Sequence, residues 1–283
     1  MLSVPTPFGA IKFRGLFGYL LLGSIPFILL SSLPYAIVSD IALLLWIHGI
    51  LLWWGNKELI HAGIVRRNLI GRFDLSLIPL AVGITAVMIV FSYGVILLYY
   101  YGLVTLWGNT FMELINTPSV SSILGIVAGI VVVPVIEEFF FRGVMLHAMV
   151  SRMGFGKGIW ITSLLFGFAH FEFISATLFG VVLALVYIRY KSLWLPILIH
   201  VLNNAIAFLP SLFVSQSPVI PPEEISVSET LTAGLLLVGV SIPFVVYVIR
   251  HWWPTQSTIL PYIVNSKQNV IFDNLKASHI GAD

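Results

Sequence analysis

Glu137 and Glu138 stand side by side in VVVPVIEEFFFRGVMLHAMV, residues 131–150, with Arg142 four positions after the second of them. The rest of the segment is apolar enough to cross a membrane, where an ionisable side chain is costly and marks function by default. On a helix, positions four apart share a face, so Glu138 and Arg142 form a pair. Glu137 is turned by about 100° from its neighbour and is left free. A free carboxylate in an apolar site holds protons more tightly and suits a general base. A plain interhelical salt-bridge cluster is the alternative for this doublet taken alone.

Two further stretches carry chemistry. In FGFAH, residues 166–170, Phe166 lies four before His170 and packs beneath the imidazole. Glu172 follows near the helix end, where exposure is the simplest expectation. In HVLNN, residues 200–204, His200 and Asn204 share a face and Asn203 lies beside it. Imidazole and carboxamide donors in a dry pocket stabilise an oxyanion; interhelical glue is the competing role. A carboxylate and an imidazole can activate water, and a second imidazole with an amide can hold the negative oxygen that forms. Together these hydrolyse a peptide bond without a serine or cysteine nucleophile. One Glu and two His also match a known catalytic zinc set, which makes Glu137, His170 and His200 the ligands if zinc is the cofactor. The HExxH signature is absent.

These residues need helices to position them. Charged residues make up only 9% of the 283-residue chain, against about 25% in soluble domains, so the sequence predicts an all-α, polytopic transmembrane bundle. A span needs about 20 apolar residues, and about eight candidates follow: 15–33, 35–54, 75–101, 119–150, 159–172, 174–190, 195–213 and 230–250. The fourth is long and the fifth short. Lys12 and Arg14 ahead of the first run resemble a signal peptide with a small-residue site near Ala36, but a second apolar segment follows at once and a retained span is expected. The chain reads as a single membrane domain, 1–283, with a polar, mobile C-terminal tail over 255–283. A net charge of +2 points to no nucleic-acid partner, and the lack of cysteine removes disulfides, thiolate metal sites and a Cys nucleophile.

With eight spans, the basic residues outside residue 142 fall on one side: Lys12 and Arg14; Lys57, Arg66, Arg67 and Arg72; Arg152 and Lys157; Arg189 and Lys191; Arg250, Lys267 and Lys276. The intervening loops carry Glu113, Glu223, Glu224 and Glu229 instead. The positive-inside rule then puts both termini in the cytoplasm, most simply at the plasma membrane. Glu137 lies 15 residues before Arg152, His170 13 after Lys157 and His200 9 after Lys191. At 1.5 Å per residue these are depths of about 22, 20 and 14 Å. The three motifs therefore overlap in depth, and the expectation is a shared hydrated cavity towards the cytoplasmic interface. Of the remaining ionisable groups, His48 is expected to be structural, Asp40 to lie at the outer end of its span, and His147 to pack near the basic end.

EEFFFR fits EExxxR, FGFAH fits FxxxH and HVLNN fits HxxxN, in that order on successive apolar segments. The chain resembles the CPBP family, the CAAX prenyl proteases and bacteriocin-processing intramembrane proteases, over about residues 119–213. The resemblance implies an intramembrane endopeptidase in which Glu137 and His170 activate water, His200 and Asn204 form the oxyanion hole, and Glu138 and Arg142 support the site. Its partners would be the lipid bilayer and a peptide or protein substrate, such as a lipidated C-terminus or a bacteriocin or leader peptide. The rival expectation is a non-catalytic transporter, or a bacteriocin self-immunity or binding protein of the same fold. No paired halves of the kind that mark many transporters are visible.

Overall fold

A computed structural model describes residues 6–31, 36–107, 123–170, 172–208 and 227–280. Among them the protein is all-helical. After a 3-10 turn at Pro7–Ala10, α1 covers Arg14–Ser31 and α2 covers 36–61. A short α3 (Arg66–Ile70) leads to α4 (Ile78–Trp107), followed by α5 (Ile123–Phe168), α6 (Phe173–Tyr190), α7 (Trp194–Phe208), α8 (Val227–Trp252) and α9 (Pro261–Ile280). Among the described residues, four helices are long and apolar enough to cross a membrane, and α1 and α7 are shorter apolar helices.

α5 is two passages. Its 46 residues would reach about 69 Å if straight, more than twice a hydrocarbon core of about 30 Å. The chain instead folds back at Gly154, whose φ of 81° and ψ of 169° lie outside the helical range. Glycine adopts that backbone without a Cβ penalty. A second glycine seals the hairpin: a Cβ on Gly158 would come within 2.8 Å of the backbone nitrogen of Val150. The two arms then run in register. Phe141, 13 residues before the turn, meets Phe166, 12 after it, edge to face at 5.1 Å. Glu137 and His170, 17 before and 16 after, are brought opposite by the same geometry.

One end of the bundle gathers the cations. Arg152 donates to the carbonyls of Gly9 and Ile11, and the Lys12 N–H reaches Glu58 Oε2 at 3.3 Å. Lys57 Nζ lies 3.3 Å from the Tyr19 hydroxyl. Leu193 N–H donates to the Ile70 carbonyl at 2.8 Å, and the Ser192 hydroxyl to that of Arg72 at 2.7 Å. The passages thus return repeatedly to this cationic belt, as the sequence map requires. Glu113, Glu223 and Glu224 lie outside the described residues.

The C-terminal segment corrects an expectation. Residues 261–280 are polar but form α9 instead of a mobile tail, because their amides satisfy carbonyls that other elements leave open. Buried Asn265 donates to the carbonyls of Asn68 and Lys191 at 2.9 and 2.8 Å. Lys191 ends α6 in the left-handed conformation, and an end carbonyl of this kind has no helical donor. Asn269 adds a bond to Asn68 Oδ1 at 2.7 Å, and Arg67 pairs with Asp273. His147 ties α9 to α5. Its Nδ1–H donates to the Arg142 carbonyl at 3.1 Å, which leaves Nε2 to accept from the Tyr262 N–H at 3.4 Å. It is fully buried and stacks on Phe8 at 4.6 Å.

Candidate active site

The first arm of α5 does not keep a regular α-helical turn. Val133 N–H bonds to the Ala128 carbonyl, five residues back, and residue 134 is proline, which has no N–H. The Gly129 carbonyl therefore loses both donors that could reach it along the helix. Asn204 Nδ2–H supplies one from α7 at 2.9 Å. A buried carbonyl without a partner is costly, so Pro134 and Asn204 are coupled through Gly129. A second widened stretch spans Phe139–Leu146, and a third, Leu44–Gly49, carries His48 in α2. Such turns recur at functional sites because they re-aim side chains.

Glu137 is 8% exposed, Arg142 3% and Glu138 fully buried. Arg142 donates to Glu138 Oε1 at 2.6 Å and to the Gly180 carbonyl at 3.2 Å. Its guanidinium also lies 4.6 Å from the Phe166 ring centre. The same Glu138 oxygen accepts from His200 Nδ1 at 2.9 Å. That fixes the His200 tautomer, with hydrogen on Nδ1 and Nε2 turned to the cavity. His170 is fixed similarly: Nδ1–H donates to the Phe166 carbonyl at 2.7 Å, and the Phe166 ring lies beneath it at 4.4 Å.

The two free Nε2 atoms face one carboxylate oxygen. Glu137 Oε2 lies 3.7 Å from His200 Nε2 and 4.0 Å from His170 Nε2. It is buried and has no hydrogen-bond partner. The other oxygen, Oε1, is 3.3 Å from His48 Nε2. The structure thus brings Glu137, His170 and His200 together, with Glu138 and Arg142 directly behind. Asn204 and Asn203 line the same cavity of about 450 Å³. His48 lines it too, which corrects its reading as a structural histidine; the only signal for it in the sequence is an ionisable residue in the apolar run of α2.

Glu172 is also corrected. It lines the cavity half-buried and accepts from the Ser175 hydroxyl at 3.0 Å. Glu137 lies 15 residues before Arg152, about 22 Å along a helix, as counted from the sequence. The second arm of α5 ends at Phe168 and α6 begins at Phe173, while the first arm continues 14 residues beyond Glu137 to Ile123. The recess beside those two helix ends is the cavity. Non-helical backbone at membrane depth is tolerated where it lines such a space.

Glu137 Oε2 and the Nε2 atoms of His170 and His200 are donors of the kind zinc takes. Among the described residues, however, no group of three His, Asp or Glu side chains is spaced to hold a metal ion.

Comparison with known proteins bears on the same segment. Residues 119–206 match the family model for type II CAAX prenyl endopeptidase Rce1-like proteins. YdiL of Bacillus subtilis (strain 168), named provisionally as a membrane peptidase, is 29% identical over 92 residues. That match covers 31% of this chain and 38% of YdiL. No solved structure matches the chain. The matched segment contains all three motifs, with Glu137, His170, His200 and Asn204 on them, and over these residues the chain is similar to the type II CAAX prenyl endopeptidase Rce1-like family.

Proposed function

We propose that this protein is an intramembrane endopeptidase of the CAAX-protease type, hydrolysing a peptide bond through a water activated by Glu137 and His170. One observation carries the reading: a buried, unpartnered Glu137 oxygen faces two imidazole nitrogens whose tautomers are set by bonds on their far sides. At 3.7 and 4.0 Å the nitrogens stand too far to bond that oxygen directly. All three atoms present lone pairs, so what binds among them is a proton donor or a cation, and in this reading it is water.

In this reading water donates one proton towards Glu137 Oε2 and the other towards His170 Nε2. Its oxygen attacks the carbonyl carbon as Glu137 takes the first proton. The C–N bond breaks when that proton passes to the leaving nitrogen, giving a carboxylic acid and an amine. His48 donates Nε2–H to Oε1 and so leaves Oε2 for the water. A second N–H of Asn204 serves the developing oxyanion. His200 joins it once protonated, a form that Glu138 at Nδ1 stabilises. Arg142 pairs with Glu138 at 2.6 Å and holds its carboxylate in place beneath His200.

The peptide or protein substrate is not identified by this geometry; a lipidated C-terminus and a leader peptide both meet its chemical requirement. The test is cleavage of a quenched-fluorescence peptide library by purified protein in nanodiscs, with Glu137→Gln alongside. Cleavage by the parent and none by the variant supports the reading. Equal cleavage by both removes Glu137 from the reaction. Zinc at one ion per chain, with activity lost on chelation and restored by zinc, would replace the direct water activation described here.

A further inference from the structure

The cavity has a direction. Its floor is formed by Glu137, Phe166 and His200, and beneath it Glu138 and Arg142 close the bundle against the Gly180 carbonyl. Its walls come from helix ends far from the cationic belt. Leu43 and Leu44 lie on the half of α2 remote from Lys57, Gly125 is two residues from the start of α5, and Phe208 is the last residue of α7. Glu172, immediately before α6, sits at the same end. None of the wall residues belongs to the segments that make the belt.

Charge follows the same axis. Of the 14 Lys and Arg residues, every one but Arg142 lies at or next to a belt segment; none occurs in 15–56, 73–141, 158–188 or 192–249. Arg142 is committed below the floor to Glu138 and Gly180. The cavity side carries Glu172 instead. Basic loops stay in the cytoplasm, so the belt marks the cytoplasmic face and the cavity opens away from it.

We propose that substrate reaches this site from the extracytoplasmic side, and that it is a stretch of polypeptide displayed at the outer leaflet or on the outer surface. The inference rests on the endopeptidase reading for the word substrate; the direction of access stands on the belt and the cavity alone.

The chain has no cysteine, so single-cysteine variants report without background. Ala207→Cys and Asn203→Cys place a thiol in the cavity wall. Arg14→Cys and Lys267→Cys place one at the exposed belt end. Each variant is treated with a membrane-impermeant maleimide in intact cells and in inverted vesicles. The cavity thiols are expected to label at least tenfold faster in intact cells, and the belt thiols at least tenfold faster in inverted vesicles. Cavity thiols that label only in inverted vesicles overturn the proposal, and so does failure of both to label from either side while detergent exposes them. Labelling needs no turnover: outside labelling without any cleavage activity removes the endopeptidase reading and leaves the access route, whereas cleavage with inside labelling does the reverse.

Discussion

His48 Nε2 lies 3.3 Å from Glu137 Oε1, joining α2 to α5 across 89 residues of sequence. Both groups are nearly buried, with side chains 12% and 11% exposed. The carboxylate is therefore held from one side by an imidazole and presents its other oxygen to the cavity. A hydrogen bond to a charged group is worth about 1.5–3 kcal/mol, enough to set that orientation. His48→Leu is expected to lower kcat by about tenfold or more at unchanged KM, with His48→Gln restoring part of it. Steady-state kinetics on a cleaved peptide check this; a change confined to KM would instead make His48 a substrate contact.

Removing the carboxylate itself should act on rate and not on folding. A general base contributes about 10²–10⁴-fold, so Glu137→Gln should lose that much activity. The amide keeps the shape and can still meet His48. Thermal unfolding in detergent is expected to stay within a few degrees of the parent, and a large drop would show that Glu137 is needed for the bundle.

Glu138 and Arg142 predict the opposite balance. Their side chains are 0% and 3% exposed, at 2.6 Å. Removing one member of a buried pair leaves an uncompensated charge, at about 3–5 kcal/mol. Arg142→Met and Glu138→Gln should each destabilise by that order, and the double variant by less than the sum. Strict additivity in the denaturation midpoints would mean that the two do not act as a pair.

The Gly129 carbonyl offers a double-mutant test. Asn204→Leu should remove its donor, costing about 1–3 kcal/mol. Pro134→Ala returns an N–H to the helix beside that carbonyl, so the loss at Asn204 should shrink in its presence. A coupling of about 0.5 kcal/mol or more in the cycle is the expected outcome, and zero coupling would separate the two residues.

At the belt end, Asn265→Leu leaves the carbonyls of Asn68 and Lys191 without their donor. A buried group left unsatisfied costs about 1–3 kcal/mol. Asp273→Asn breaks only an exposed pair with Arg67, and such pairs contribute little. Unfolding in detergent should therefore separate the two variants clearly. Similar losses would show that α9 is held by charge instead of by its amides.

What could be read directly from the amino-acid order follows from local geometry and composition. Few charges and long apolar runs require a helical membrane bundle. The spacing of four between Glu138 and Arg142 is a property of any helix, and so is Phe166 beneath His170. The one-sided distribution of Lys and Arg foretells that the passages return to a common end, and the order of EExxxR, FxxxH and HxxxN points to the family. Tertiary structure decided the rest, because those relationships are not local. His48 meets Glu137 only when α2 packs on α5. Asn204 finds its carbonyl only because a widened turn before Pro134 frees it. The polar sequence of α9 has no apolar stripe to announce a helix; it is ordered by carbonyls that distant elements leave open. The height of the cavity depends on where the hairpin at Gly154 and the ends of α5 and α6 at Phe168 and Phe173 stop relative to their neighbours, a comparison between helices that no single segment contains.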